Sequence, residues 1–188
     1  MGGGRRRPSP QDLRWSRSLD GYPSLDRIDL KILAALQADG RITNQALADK
    51  VALSPSACLA RVRRLEAEGL ILGYHARLDI ERIRPTVTVY GEVTLKSHRP
   101  ADLLKFEAAL AEIPEVVEAA QVSGPFDYLI KVVSPDVRFW GDLADHLLQE
   151  GLGVDKIASH ILMKDAKPFR GAPVTAPPRQ GLAKPSTA

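Results

Sequence analysis

The sequence has little of several features that define large classes of protein. Its 188 residues contain one cysteine, Cys58, which excludes an intramolecular disulfide framework and favours a reducing compartment. The longest apolar runs fall far short of the roughly 20 residues that a membrane helix needs. No apolar stretch of the kind found in secretory signals follows the N-terminal arginines. We therefore expect a soluble, cytoplasmic protein with no membrane partner.

Catalytic and metal-binding patterns are also missing. The four histidines lack the spacing of a shared metal site, and neither a glycine-rich phosphate loop nor a nucleophile elbow is present. Asp142 and His146 lie four positions apart, which is more typical of a solvated helical pair than of metal ligands. Cys58 has no evident base partner. The sequence predicts that this protein is not an enzyme and has no metal site and no cofactor.

Charge is unevenly distributed along the chain. The net charge is +3, but residues 86–163 carry −6 and residues 25–80 carry +1. Three of the eight positive charges in residues 25–80 belong to one helical turn, at Arg61, Arg63 and Arg64. Such local clustering indicates a surface for an anionic partner. Residues 1–24 and 165–188 lack apolar periodicity and are expected to be disordered, the first as a basic arm on DNA or as a dispensable tail.

The stretch from residue 42 to residue 70 has the pattern of two helices joined by a tight corner. Thr43 is a good N-cap for the first helix, and Ala52-Leu53 form the corner. Ser54 caps the second helix, with Pro55 at its first position, where a missing N–H is harmless. Small side chains at this tip suit entry into a DNA major groove. The alternative is an ordinary helical hairpin with a solvated basic face.

A further helix and a short strand pair complete the first predicted domain. The helix before the corner pair begins with Ser24 as its N-cap and ends at Gly40 in the left-handed conformation. Residues 71–78 suit a small β-hairpin or wing. Residues 25–80 are therefore predicted to form a winged-type helix-turn-helix domain, with a linker at residues 81–85.

The pattern changes after the linker to the order β-α-β-β-α-β. Strands are predicted at residues 87–95, 116–122, 128–133 and 157–163, with helices at residues 100–112 and 134–151. This order is typical of a ferredoxin-like sandwich over residues 86–164, which makes the whole chain α+β. Both helices cover one face of the sheet. The other face is left open, and a two-fold dimer with sheets face to face would cover it.

Two segments resemble the Lrp/AsnC family of transcription regulators. The first is LDRIDLKILAALQADGRITNQALADKVALSPSACLARVRRLEAEGLILGYHARLD, and the second is VSGPFDYLIKVVSPD. The resemblance implies double-stranded DNA as a partner, control of amino-acid metabolism genes, and dimers that assemble to tetramers or octamers. It implies DNA contacts from the helix-turn-helix, namely Asn44, Ser54, Pro55, Ser56, Ala57, Arg61, Arg63 and Arg64. Arg61 has an alternative structural role, pairing with an acid such as Glu66 or Asp49.

The resemblance also implies a small effector, usually an amino acid, bound in the second domain. We call residues 123–128 the effector turn; they are Ser123, Gly124, Pro125, Phe126, Asp127 and Tyr128. Asp127 could accept hydrogen bonds from an ammonium, and N–H groups near Gly124 could hold a carboxylate. In the alternative, Asp127 only caps the turn and Tyr128 packs in the sheet. An architectural DNA-binding protein without effector response is the alternative function.

Overall fold

The computed structural model describes residues 23–149 and 151–174, which form two compact units. Of these residues, 23–75 together with 169–174 form the first unit, and those between 76 and 168 form the second. The elements are α1 (Arg27–Ala38), α2 (Asn44–Val51), α3 (Pro55–Ala67), α4 (Ile80–Ile83), β1 (Val87–Leu95), α5 (Pro100–Ala111), β2 (Val116–Gln121), β3 (Tyr128–Ser134), α6 (Val137–Gln149) and β4 (Val154–Ile161). No helix among the described residues is long and apolar enough to cross a membrane.

The first unit packs α1, α2 and α3 around one small apolar core. The predicted caps of α2 and α3 are confirmed: Thr43 Oγ1 accepts from Ala46 N at 3.2 Å, and Ser54 Oγ accepts from Ala57 N at 3.3 Å. Ala52 turns the chain between the two helices in the left-handed conformation, with φ 59° and ψ 48°. The core members are buried apolar side chains from all three helices: Ile32, Ala35, Leu47, Ala48, Val51, Cys58 and Leu65.

Three local predictions for the described residues up to position 79 are wrong. The N-cap of α1 is Asp26 and not Ser24, because Asp26 forms a reciprocal capping box with Asp29 that a serine two residues earlier cannot reach. Gly40 is not left-handed, since the helix ends through Asp39 in an extended conformation. Residues 71–79 contain no strand. A two-stranded hairpin is marginal without a layer to pack on, and Leu72 and Leu78 are exposed.

The second unit is a four-stranded antiparallel sheet with the order β2-β3-β1-β4. The predicted βαββαβ arrangement is confirmed, although β4 begins at Val154, three residues before the predicted start. Phe106 of α5 and Trp140 of α6 pack on one face of the sheet in the same buried cluster. Gly91 allows this close packing, because a Cβ there would lie 3.0 Å from Ile130 Cγ1.

The opposite face of the sheet carries a mixture of apolar and polar side chains. Successive strand residues point to opposite faces, so this face takes Tyr90 and Glu92 from β1 and the residues paired with them in register. His160 Nε2 lies 3.2 Å from Glu92 Oε1, and Lys131 Nζ lies 5.7 Å from the Tyr90 ring centroid. The two long helices of the second unit, α5 and α6, pack on the other face.

The last described segment of the chain contacts α1. Gln37 Nε2 donates to Ala172 O at 2.5 Å, and Ala172 N donates to Gln37 Oε1 at 3.1 Å. Gly171 has φ +118°, and a Cβ at this position would overlap the Gln37 side chain. The paired amide bonds and the missing side chain together allow the segment to lie against α1.

Candidate functional site

The N-terminus of α3 presents a small, exposed tip. Ser54, Pro55, Ser56 and Ala57 are all exposed, and the hydroxyl oxygens of Ser54 and Ser56 lie 3.2 Å apart. The tip lies at the positive end of the helix dipole, which favours an anionic partner. Asn44 supports the tip from α2, because its Nδ2 donates to Pro55 O at 2.8 Å. The structure therefore brings the first five predicted DNA contacts together.

The three arginines of α3 divide between two faces of the helix. Arg63 is exposed and lies seven positions, about two turns, after Ser56, so these two residues share one face. Arg61 and Arg64 lie three positions apart on another face, which is directed at α1. Arg63 also lines a groove of about 450 Å³ with Glu66, Ala67, Ile71, Gly73 and Tyr74.

Arg61 and Arg64 are paired with two carboxylates of α1. Arg61 Nη1 lies 2.6 Å from Asp26 Oδ2 and 2.9 Å from Asp29 Oδ1, so one nitrogen bridges both acids. Arg64 Nη2 lies 2.6 Å from Asp29 Oδ2, and Arg64 Nη1 lies 3.6 Å from Glu68 Oε1. The Asp29 side chain is 2% exposed. A buried carboxylate needs such partners, because desolvation of an unpaired charge is strongly unfavourable.

The hydrogen bonds of this network shift the pKa values of its members. The Asp29 backbone N–H and then the Arg61 guanidinium lower the pKa of Asp26 below its ordinary value. For Asp29, burial opposes ionisation, but the hydrogen bonds from Arg64, the Asp26 backbone and Arg61 outweigh it and lower the pKa. The same contacts raise the pKa of both arginines. All four groups are therefore held in their charged forms.

The partners of Arg61 differ from those that the sequence suggested. Glu66 accepts from the Tyr74 hydroxyl at 3.1 Å, and Asp49 accepts from Gln45 Nε2 at 3.0 Å. The acids that hold Arg61 lie 32 and 35 positions away in sequence. The sequence did contain one signal for this pairing: two acids at the start of α1 lie three positions apart, and so do two arginines of α3.

The effector turn joins β2 to β3 and is fixed to β1. Ser123, Gly124 and Pro125 are exposed, and Gly124 has φ +146°, a conformation that favours glycine. Val122 N donates to Asp127 O at 2.9 Å, and Asp127 N donates to Val93 O at 2.9 Å. The turn therefore lies where β2 ends and β3 begins. Its first residues are exposed, and its end is held by the hydrogen bond to β1.

Asp127 and Tyr128 already have partners within the chain. Asp127 Oδ2 accepts from Leu95 N at 2.7 Å, and Oδ1 lies 2.8 Å from His98 Nε2. Tyr128 is 2% exposed and packs against Phe106, with the ring centroids 5.0 Å apart. Its hydroxyl donates to Glu107 Oε1 at 2.8 Å, and burial followed by Glu107 raises its pKa well above the ordinary value. His98 is the residue near this turn that sequence reasoning missed, because it precedes α5 and is distant in sequence.

The described residues contain no group of three or more His, Cys, Asp or Glu side chains that could hold a metal ion. Cys58 is buried in the first core, and burial raises the pKa of its thiol. A buried thiol with a raised pKa is unreactive as a nucleophile.

Comparison with known proteins matches both units. Residues 25–71 match a winged helix-turn-helix DNA-binding model, and residues 88–172 match the Lrp/AsnC ligand binding domain. The leucine-responsive regulatory protein of Escherichia coli (strain K12) is 41% identical over 143 residues, which cover 76% of this chain and 87% of that protein. The transcriptional regulatory protein DoeX of Halomonas elongata is 40% identical over 143 residues, with coverage of 76% and 90%.

Solved structures of similar proteins share the fold. An AsnC family transcriptional regulator from Agrobacterium tumefaciens has a TM-score of 0.73 at 33% identity, covering 80% of this chain and 97% of that chain. A transcriptional regulator from Neisseria meningitidis in complex with L-Met has a TM-score of 0.68 at 32% identity, with coverage of 77% and 93%.

Proposed function

Because this chain belongs to the Lrp/AsnC family of transcriptional regulators, we propose that it controls genes of amino-acid metabolism by binding double-stranded DNA and an amino acid. The first unit binds the DNA and the second binds the effector. The observation that carries the DNA-binding half is the exposed, small-residue N-terminus of α3 within a matched helix-turn-helix. A regulator of transcription acts where the DNA is, so a cytoplasmic location is part of the proposal.

In this proposal α3 is the recognition helix. Ser54, Pro55, Ser56 and Ala57 enter a major groove, where their small size lets the backbone approach base edges. Arg63 shares a face with Ser56 and neutralises a phosphate, which positions the helix without reading sequence. Asn44 holds the tip through Pro55 O and acts on the DNA indirectly.

The effector half of the proposal rests on the exposed start of the effector turn. The backbone N–H groups of Ser123 and Gly124 are candidates for a carboxylate, whereas Pro125 has no N–H to contribute. The Asp127 side chain is 19% exposed, so an ammonium would join Leu95 N and His98 as a further partner. The L-Met complex of a similar protein supports an amino acid as the class of effector.

The open face of the sheet supports self-association. A second copy placed face to face would bury Tyr90 and the apolar residues around it under two-fold symmetry. The proposal therefore includes a homodimer, which presents two recognition helices to successive major grooves about 10 base pairs apart. Further assembly to a tetramer or an octamer is proposed on the family resemblance.

A thermal-shift scan against the twenty amino acids tests the effector half. A ligand that binds only the folded state stabilises it by about 2.7 kcal/mol at 100 times Kd. We expect one or a few amino acids to raise the melting temperature, and Asp127→Ala to abolish the shift. Asp102→Ala is the matched control: its carboxylate also makes a local hydrogen bond in the second unit, from Ser97 Oγ at 2.6 Å, but lies outside the effector turn.

The outcomes separate regulator from architectural protein. A shift that survives in Asp127→Ala would show that the effector binds elsewhere. No shift with any amino acid, together with intact DNA binding, would favour an architectural protein that binds DNA without sensing a metabolite.

A further inference from the structure

Two acids of α1 engage two of the three arginines of α3, and we name Asp26 and Asp29 the acidic pair. Every carboxylate oxygen of the acidic pair accepts a hydrogen bond. Asp26 Oδ1 accepts from Ile28 N and Asp29 N, both at 2.8 Å, and Asp29 Oδ2 accepts from Asp26 N at 3.1 Å. The remaining contacts are those to Arg61 and Arg64. Hydrogen bonds to backbone N–H groups at the start of α1 therefore hold both carboxylates in place independently of α3.

The contacts to Arg61 and Arg64 attach α3 to the fixed carboxylates of the acidic pair. Asp26 is the N-cap of α1 and Asp29 is the third residue of its first turn, so both are set by helix geometry. The two arginines lie almost one turn apart on α3. Together with the buried Cys58 and Leu65 of α3, these two polar attachments restrict the rotation of the helix about its own axis.

The restricted rotation determines which α3 residues are available to DNA. Ser56 and Arg63 are exposed and occupy a different face from Arg61 and Arg64. Arg61 and Arg64 each direct a guanidinium nitrogen at the buried Asp29 carboxylate, so moving either nitrogen to a phosphate would remove one of the two arginine contacts of that carboxylate.

We propose that the acidic pair, with Arg61 and Arg64, positions the recognition helix, and that neither arginine neutralises a DNA phosphate. Arg63 is then the arginine of this helix that contacts the backbone of the duplex. This inference rests on the proposed DNA-binding function and assigns roles within it.

The salt dependence of DNA binding tests the assignment of the arginines. The probe is a duplex selected from a random pool by the wild-type protein, with a scrambled duplex for comparison. Each phosphate that the protein no longer neutralises reduces the slope of log K against log salt by about 0.9. We expect Arg63→Gln to reduce the slope by this amount for each phosphate that Arg63 neutralises. We expect Arg61→Gln and Arg64→Gln to keep the wild-type slope while losing preference for the selected duplex.

Asp29→Asn distinguishes a positioning role from competition with DNA, because the two roles predict opposite changes in DNA affinity. If the acidic pair positions α3, the variant binds the selected duplex more weakly than the wild-type protein does. If the carboxylate instead competes with DNA for the arginines, the variant binds more tightly and with a steeper slope. Asp49→Asn, an exposed acid of α2 outside the network, measures the general effect of removing one negative charge. Asp26→Asn, which leaves the buried acid in place, repeats the test with less disturbance of folding.

The results separate the two proposals. A slope for Arg64→Gln reduced as much as that for Arg63→Gln, or tighter binding by Asp29→Asn than by Asp49→Asn, would overturn the positioning role and leave DNA binding intact. Failure of the wild-type protein to select any duplex would refute the proposed function itself, and the positioning role with it.

Discussion

Replacing Asp29 by asparagine keeps the shape of the side chain and removes its charge. The wild-type carboxylate accepts from Arg61, Arg64 and the Asp26 backbone. Asparagine offers one oxygen acceptor and places an NH₂ group where a second acceptor stood. At least one of the arginines or the Asp26 N–H therefore faces a donor in the variant.

The structure sets the expected loss of stability. Removing one partner of a buried ion pair lowers the free energy of unfolding by about 3–5 kcal/mol. Arg61 and Arg64 keep 31% and 40% exposed side chains, so water can replace part of the interaction that the carboxylate provided. We therefore expect the lower end, about 3 kcal/mol for Asp29→Asn. For a domain of 60–100 residues that unfolds on its own, this corresponds to a melting temperature about 12–24 °C lower.

Differential scanning calorimetry is the suitable assay. Fluorescence of Trp140 reports on the second unit and would not follow α1 directly. We expect one calorimetric transition to move in Asp29→Asn and to stay in place in Asp49→Asn, because exposed substitutions away from special contacts change stability by about 0.5 kcal/mol or less. An Asp29→Asn protein that melts at the wild-type temperature would refute the view that this buried carboxylate holds α1 to α3.

Three further predictions concern pH, the corner between α2 and α3, and the open face of the sheet. The lowered pKa of Asp29 gives stability that is present above the unfolded pKa of about 3.9 and lost as pH falls through the folded pKa. In urea titrations, the difference in free energy of unfolding between wild type and Asp29→Asn should therefore disappear below about pH 4. A difference that does not change with pH would contradict this. Ala52→Gly should raise the free energy of unfolding by about 1 kcal/mol, because Ala52 has a left-handed backbone conformation. The control Ala60→Gly, within α3, should lower it by a similar amount. Equal losses of stability in the two variants would refute the strain at the corner. Val133→Asp, on the open face, should convert a dimer to a monomer in sedimentation experiments. Leu104→Asp, on the exposed side of α5, should leave the dimer intact. If both variants remain dimers, the interface lies elsewhere.

The parts of the fold that depend on neighbouring residues could be predicted from the sequence. Thr43, Ser54 and Pro55 cap α2 and α3 as expected, because the capping bonds reach only three residues along the chain. The strand and helix order of the second unit followed from apolar periodicity in the same way. Local competition accounts for one error: Asp26 displaced Ser24 as N-cap because Asp29 could return a bond to it.

The features that depend on distant residues could not be predicted. The partners of Arg61 lie on α1, and periodicity along α3 shows its face but not what that face meets. The pattern of residues 71–78 suggested a hairpin, yet a hairpin needs a layer to pack on, and Leu72 and Leu78 are exposed. Likewise, the sequence left open whether Asp127 accepts from an ammonium or only caps its turn, and it did not indicate Leu95 N and His98 as partners.

The hydrogen bonds between Gln37 and Ala172 have a consequence for protein synthesis. The two residues are separated by 135 positions, so the ribosome completes every helix and strand of the described chain before Ala172 emerges. Helices α1, α2 and α3 share a core of their own and can pack early, while Gln37 stays hydrated. The contact with α1 therefore forms only on chains translated as far as Ala172, and a chain cut short after Pro168 would leave this side of α1 bare.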